Sequence, residues 1–163
     1  MKRILVIGSR SFEGCNCVKR QLFEVLDLVA NAKDDYSQVE GIISGHCKGI
    51  DKMVDEYCRK TGCRTISVPA IPESFGGFQT INKRNMYCIK SSDIIVCVWD
   101  GDSVLSHTYL MYEQAKNAGK DVILIRSEKT ELEGKSCRKT TMEAHGRIAL
   151  YYMHKFDDAK KGR

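Results

Sequence analysis

The feature that most restricts this chain is the alternation of short apolar runs with longer stretches of helical periodicity. Residues 3–7, 39–43, 64–68, 93–99 and 122–125 are mostly β-branched or aliphatic, and are closed by Gly8, Ser44-Gly45, Pro69, Asp100-Gly101 and Arg126. Runs that are apolar at consecutive positions suit strands buried on both faces. Between them, residues 15–32 place Val18, Leu22, Val25, Leu26 and Val29 at helical spacing, and residues 51–60 do the same with Met53, Val54, Tyr57 and Cys58. Residues 80–90 and 106–118 read as two further helices, the second stopped by Gly119. Strands joined through helices run parallel, because the crossover returns the chain to the same end of the sheet. The expected fold is α/β: a Rossmann-like three-layer arrangement with a central, mainly parallel sheet of about five strands and helices on both faces.

The 163 residues fit one domain. With 42% hydrophobic and 29% charged residues, the composition is that of a folded protein rather than a disordered one. Residues 69–80 hold both prolines and Gly76-Gly77 and read as a loop within the domain, not a linker. Residues 1–126 carry the α/β pattern. Residues 127–163 read as an extension of the same domain: a polar, aperiodic mobile loop over 127–140, then a helix over 142–156 with Ile148, Tyr151, Tyr152 and Phe156 on its apolar side.

The formal net charge is +5, and from Ser127 onward nine Lys/Arg face six Asp/Glu. A nearly neutral body with a mildly basic tail argues against dedicated nucleic acid binding. The first apolar run, Ile4-Leu5-Val6-Ile7, is too short for a signal segment or a membrane span, so the expectation is a cytoplasmic chain with no membrane partner and reduced thiols. The eight cysteines include no C-x-x-C pair, and Cys15-x-Cys17 lacks partners at zinc-finger spacing. They read as small apolar residues, Cys97 within Ile94-Ile95-Val96-Cys97-Val98 above all, and no metal or cofactor is expected.

In a parallel sheet the strands share one C-terminal edge, and ligands bind in the crevice there. The residues after each strand are therefore the candidates. After the first come Gly8-Ser9-Arg10-Ser11-Phe12, and after the second Ser44-Gly45-His46-Cys47-Lys48-Gly49-Ile50-Asp51. After the fourth come Asp100-Gly101-Asp102-Ser103, then Ser106 at the next helix start. Glycine allows close backbone approach, helix N-termini favour anions, serines add hydroxyl donors, and Arg10 offers a planar fork suited to phosphate. Taken singly, each loop is an ordinary tight turn or cap. Three at one sheet edge point to a phosphate pocket. No G-x-G-x-x-G follows the first strand and no Walker A lysine motif occurs, which excludes the usual dinucleotide and P-loop chemistries.

Gly8-Ser9-Arg10-x-Phe12, Ile43-Ser44-Gly45-x-x-x-Gly49-x-Asp51, Arg84-Asn85, Ser92-Asp93 and Trp99-Asp100-Gly101-x-Ser103 together resemble the SMF/DprA–Lonely Guy superfamily, in particular its small branch with Gly-Ser-Arg openings. The resemblance spans residues 3–126. It implies a Rossmann-like fold that binds nucleotides or nucleotide-derived signals, often as a homodimer or higher homo-oligomer. Some relatives cleave the N-glycosidic bond of a nucleoside monophosphate, others sense or sequester ADP-ribose-type messengers, and the DprA branch binds single-stranded DNA. Here His46 and Cys47 stand where the family has glycine and alanine, and Leu105-Ser106 stand for Gly-Thr. Thr108 and Tyr109 occupy the positions of the Lonely Guy catalytic glutamate. Arg84 matches an arginine those enzymes use near the scissile bond.

The expectation is thus a protein that senses or sequesters a small phosphorylated nucleotide, ADP-ribose-like or cyclic. Its expected contacts are Gly8, Ser9, Arg10, Phe12, Ser44, Gly45, His46, Lys48, Gly49, Asp51, Arg84, Asn85, Asp100, Gly101, Ser103 and Ser106. Phe12 and Phe75 are the stacking candidates because they lie in loops, Trp99 reads as packing, and Asp51 reads as a helix cap. The alternatives are a nucleotide N-glycosidase with Arg84 and Asp100 as catalytic groups and DprA-like binding of single-stranded nucleic acid through the basic tail.

Overall fold

A computed structural model describes residues 2–12, 14–30, 39–44, 48–66, 77–132 and 135–149. Six strands form one sheet: β1 (Lys2–Gly8), β2 (Val39–Ser44), β3 (Thr65–Ile66), β4 (Ile94–Trp99), β5 (Asp121–Leu132) and β6 (Lys135–His145), in the order β3-β2-β1-β4-β5-β6. The first five are parallel, and β6 runs antiparallel to β5. The helices between them are α1 (Asn16–Ala30), α2 (Lys48–Thr61), α3 (Gly77–Lys90) and α4 (His107–Asn117). This is the expected Rossmann-like α/β fold, with one strand more than the apolar runs announced. No described helix is long and apolar enough to cross a membrane.

Successive side chains of a strand point to opposite faces, and β1 divides its residues accordingly. Ile4 and Val6 join a core with Val18, Leu22, Val25 and Leu26 of α1 and Ile50, Val54 and Tyr57 of α2. Leu5 and Ile7 join a second core with Cys88 and Ile89 of α3 and Met111, Tyr112 and Ala115 of α4. Double burial is the reason β1 and β4 read as unbroken apolar runs. Fully burying each Val, Leu or Ile contributes about 1.5–3 kcal/mol, which offsets the entropy of ordering the chain.

The segment after Arg126 departs from the sequence reading. Residues 127–132 and 135–140 are not a loop: β5 continues to Leu132, and β6 pairs with it from Lys135 opposite Leu132 to His145 opposite Val122. The helix expected over 142–156 is corrected at its start, since residues 142–145 belong to β6; residues 147–149 are helical with Ile148 buried, and residues 150–156 lie outside the described ones. The physical reason is that strand formation here comes from pairing. Backbone hydrogen bonds to β5 are available whatever the side chains, and a ribbon needs no apolar run. Strand β4 ends at Trp99 opposite Arg126. The stretch 127–132 and its β6 partners therefore project past the end of β4 as a two-stranded ribbon.

Candidate functional site

Strands β1 and β4 are neighbours, yet the chain leaves β1 toward β2 on one side and leaves β4 toward β5 on the other. Their C-terminal ends flank the topological switch point, where an open α/β sheet has its natural crevice. A cleft of about 380 Å³ lies here, lined by Ser11, Asp100, Gly101, Asp102, Glu128, Lys129 and Arg138. The β1 and β4 loops form its floor, and the β5–β6 ribbon supplies Glu128, Lys129 and Arg138.

The two loops are tied together. The Ser9 backbone N–H donates to the Val98 carbonyl at 2.9 Å, and the Asp100 N–H donates to Ser9 Oγ at 3.2 Å. Ser11 Oγ donates to Asp100 Oδ2 at 2.6 Å, while the Asp102 N–H donates to Asp100 Oδ1 at 3.1 Å. Asp102 Oδ1 in turn accepts the Trp99 indole N–H at 3.0 Å and the Ser103 N–H at 2.6 Å. The partnership with the Asp100 carboxyl, then the Ser103 N–H and the indole, holds the Asp102 carboxyl below its ordinary value of 3.8. Asp100 thus braces the loop with both oxygens, although a carboxylate keeps lone pairs for further donors.

The ribbon closes the other wall. The Arg126 guanidinium lies 4.8 Å from the Trp99 ring centroid and pairs with Glu128 Oε1, its Nε at 2.8 Å. Gly101 has φ of +78°, a left-handed conformation that favours glycine, and the Glu128 side chain packs into the space a Cβ would take. Arg138 donates to the Ser127 carbonyl at 3.1 Å and lies 5.0 Å from the Phe12 ring centroid. Lys129 is exposed at the cleft.

Of the residues expected from sequence, Asp100 and Gly101 line this cleft, and Ser9 lies beneath it. Gly8 is a packing requirement: the Ile50 side chain sits where its Cβ would be, which seats the start of α2 against the end of β1. Lys48, Gly49 and Asp51 form the first turn of α2. Asp51 is therefore inside the helix rather than its cap, and it accepts a short hydrogen bond from Ser44 Oγ. Ser103 Oγ accepts the Leu105 N–H at 3.1 Å, and Ser106 caps α4 through the Tyr109 N–H at 3.3 Å. Arg84 and Asn85 lie on α3 and do not line the cleft; Asn85 Nδ2 is 2.8 Å from His107 Nε2. Gly45, His46 and Phe75, with the side chains of Arg10 and Lys48, lie outside the described residues.

Phe12 requires correction. It was expected to stack on a ligand, but it is fully buried in the core shared by α1 and α2. A single turn of 3-10 helix over Arg10–Phe12 turns the ring inward, where burial of its apolar area outweighs exposure in the loop. Trp99, at 4% exposure, is core as expected and packs on Tyr109 with ring centroids 4.6 Å apart.

The sequence reading missed Glu128, Lys129 and Arg138. Their signal was weak: Thr130, Thr140 and Thr141 are β-branched residues on either side of Glu133-Gly134, a pattern a hairpin accepts. A second hollow of about 680 Å³, lined by Asp55, Cys58, Arg59, Cys63, Arg64 and Thr65, opens at the end of α2 and the start of β3. That is the N-terminal edge of the sheet, away from the switch point. No family model matches the chain, and no curated protein matches it.

Proposed function

We propose that the chain binds a small phosphorylated nucleotide or nucleotide-derived signal in the cleft between the β1 and β4 loops and the β5–β6 ribbon, as a sensor or sequestering protein. The observation that carries this reading is the position of the cleft at the switch point. Its volume falls in the range of small-molecule sites, and its lining divides into two chemistries. Asp100 and Asp102 can accept from the hydroxyls of a ribose, while Arg138 and Lys129 can meet phosphate oxygens. The backbone N–H groups at the start of α2, held beside β1 by Ile50 at Gly8, add positive potential on the same side.

Membership of the SMF/DprA–Lonely Guy superfamily is part of this proposal. Binding is favoured over glycosidic cleavage because Thr108 and Tyr109 stand where the Lonely Guy enzymes place their catalytic glutamate, and Glu128 at the cleft is paired with Arg126. An oxocarbenium-like transition state needs a carboxylate aimed at the sugar. Membership also implies a homo-oligomer, which light scattering of the purified protein checks.

Calorimetry against ADP-ribose and cyclic nucleotides tests the reading. Wild type should bind, and Arg138→Gln should weaken binding about tenfold or more, since a charge-assisted hydrogen bond contributes about 1.5–3 kcal/mol. Absence of binding by wild type, or unchanged affinity in both Arg138→Gln and Lys129→Ala, overturns it. Release of free base from nucleoside monophosphates, followed by chromatography, would instead establish the hydrolase.

A further inference from the structure

Two thiols stand at the head of α1. Cys15 Sγ and Cys17 Sγ are 3.3 Å apart, Cys17 is exposed and Cys15 half-buried. Cys15 lies just before the helix, with its N–H bonded to the Phe12 carbonyl at 3.0 Å and its carbonyl accepting the Lys19 N–H at 3.1 Å. The backbone is thus fixed on both sides of the pair. Burial opposes ionisation of Cys15, but the Val18 backbone N–H, the Cys17 thiol and the Arg138 guanidinium outweigh it and hold its pKa below the ordinary 9.0. For Cys17 burial and the neighbouring Cys15 act together and hold it above that value. The two sulfurs, 3.3 Å apart, are therefore unequal: Cys15 ionises more readily than Cys17, which suits one sulfur to attack and the other to resolve.

Cys15 packs in part against the core beside α1, but Cys17 is exposed and takes no part in it. The other described thiols include Cys88 and Cys97, both buried in the core with α3 and α4, where a small apolar side chain is what the space asks for. Cys15 and Cys17 sit at the surface, against a helix N-terminus and a guanidinium.

We propose that Cys15 and Cys17 form a peroxide-reactive dithiol that closes reversibly to a disulfide. The Cys15 thiolate attacks one oxygen of hydrogen peroxide. The O–O bond breaks, an S–O bond forms on Cys15, and hydroxide leaves to take up a proton as water. Cys17 then loses its proton and attacks Cys15 Sγ; the S–S bond forms, the S–O bond breaks, and the second oxygen leaves as water. The two thiols lose two electrons and two protons in all, and the peroxide is reduced to two waters. Closure brings the sulfurs from 3.3 Å to about 2.05 Å, a movement within reach of side-chain rotation and small backbone adjustment at the helix entrance. The same Arg138 that faces Cys15 also lines the cleft, so the pair adjoins its wall.

The test uses the full-length reduced protein, an equimolar amount of hydrogen peroxide and peptide mapping by mass spectrometry, with no nucleotide present. Trypsin releases residues 11–19 as one peptide holding both thiols. This peptide should appear lighter by two hydrogens and regain them with dithiothreitol. In Cys17→Ser the reaction should stop at a sulfenic acid on Cys15, trapped by dimedone. In Cys15→Ser the peptide should lose its reactivity at the same dose. An unmodified 11–19 peptide in the wild type overturns the proposal. So does dimedone labelling of Cys17, rather than Cys15, in the respective single variants. Neither result depends on whether the cleft binds a nucleotide.

Discussion

Two regions face each other across the cleft and are built on opposite terms. On one side the central strands β1 and β4 are apolar on both faces: Ile4, Leu5, Val6, Ile95, Val96, Cys97 and Val98 are all fully buried. On the other side the β5–β6 ribbon beyond Arg126 is polar, with Lys129, Lys139 and Thr140 exposed. Its main anchors are the fully buried Ser127, hydrogen-bonded to Thr140 Oγ1 at 3.3 Å, and Arg138 on the Ser127 carbonyl. The centre fixes where the β1 and β4 loops end. Among the described side chains, the ribbon brings charge to that place without adding an apolar residue to the core. Apolar burial and the charged lining of the cleft are thus largely separated between strands of one sheet, so the ribbon should be alterable at little cost in stability.

The largest effect expected from this division is on stability. Leu5→Ala or Ile95→Ala removes a fully buried side chain from a core closed on both sides and should lower the unfolding free energy by about 2–5 kcal/mol. Lys139→Ala on the exposed ribbon should stay within about 0.5 kcal/mol. Urea denaturation followed by the fluorescence of Trp99, the single tryptophan, measures both. Similar losses at the two positions would break the comparison.

A smaller effect is expected where the two terms meet, at the end of β1. Gly8→Ala drives a methyl group into Ile50 and to 3.2 Å from the Val98 carbonyl, an overpacking that typically costs about 1–3 kcal/mol. Ile50→Ala alone leaves a cavity. Combined, the two changes should cost less than the sum of the singles, because the new methyl group enters the space that Ile50 vacates. An additive cycle would mean that Gly8 is present for the ligand and not for packing.

The same division explains what could be read from the sequence. Consecutive burial writes itself into the chain as Ile4-Leu5-Val6-Ile7 and Ile94-Ile95-Val96-Cys97-Val98, and the parallel sheet follows from these runs and the helices between them. Asp100 and Gly101 were found because they sit directly after such a run. The ribbon left no such mark. Its strands are defined by hydrogen bonds to each other, and Glu128, Lys129 and Arg138 look like any solvated charge until the antiparallel register brings Lys129 opposite Arg138. Phe12 was misread for the converse reason. A loop position suggested exposure, but the turn over Arg10–Phe12 directs the ring into the core. Local sequence reports burial on elements with a period and is nearly silent on single-turn segments and polar pairings.

The smallest expected effect is a pH dependence at the floor of the cleft. Asp102 accepts from the Trp99 indole and the Ser103 N–H, and together with Asp100 these hold its carboxyl below 3.8 in the folded protein. A group whose folded pKa is depressed contributes stability that is fully present above its unfolded value and is lost as the pH falls through the folded one. The contribution should therefore be constant at neutral pH and disappear below about pH 3.8. Since Asp102 is exposed, water screens the interaction, and the change should be small beside that of Leu5→Ala. It has its own reporter, because the acid bonded to Trp99 Nε1 at 3.0 Å is the one that titrates. Native-state fluorescence should shift in that acid range in the wild type, and the shift should vanish in Asp102→Asn, whose amide oxygen can still accept the indole N–H but does not titrate. Persistence of the same titration in Asp102→Asn would assign it to another carboxylate and separate the floor of the cleft from the Trp99 end of β4.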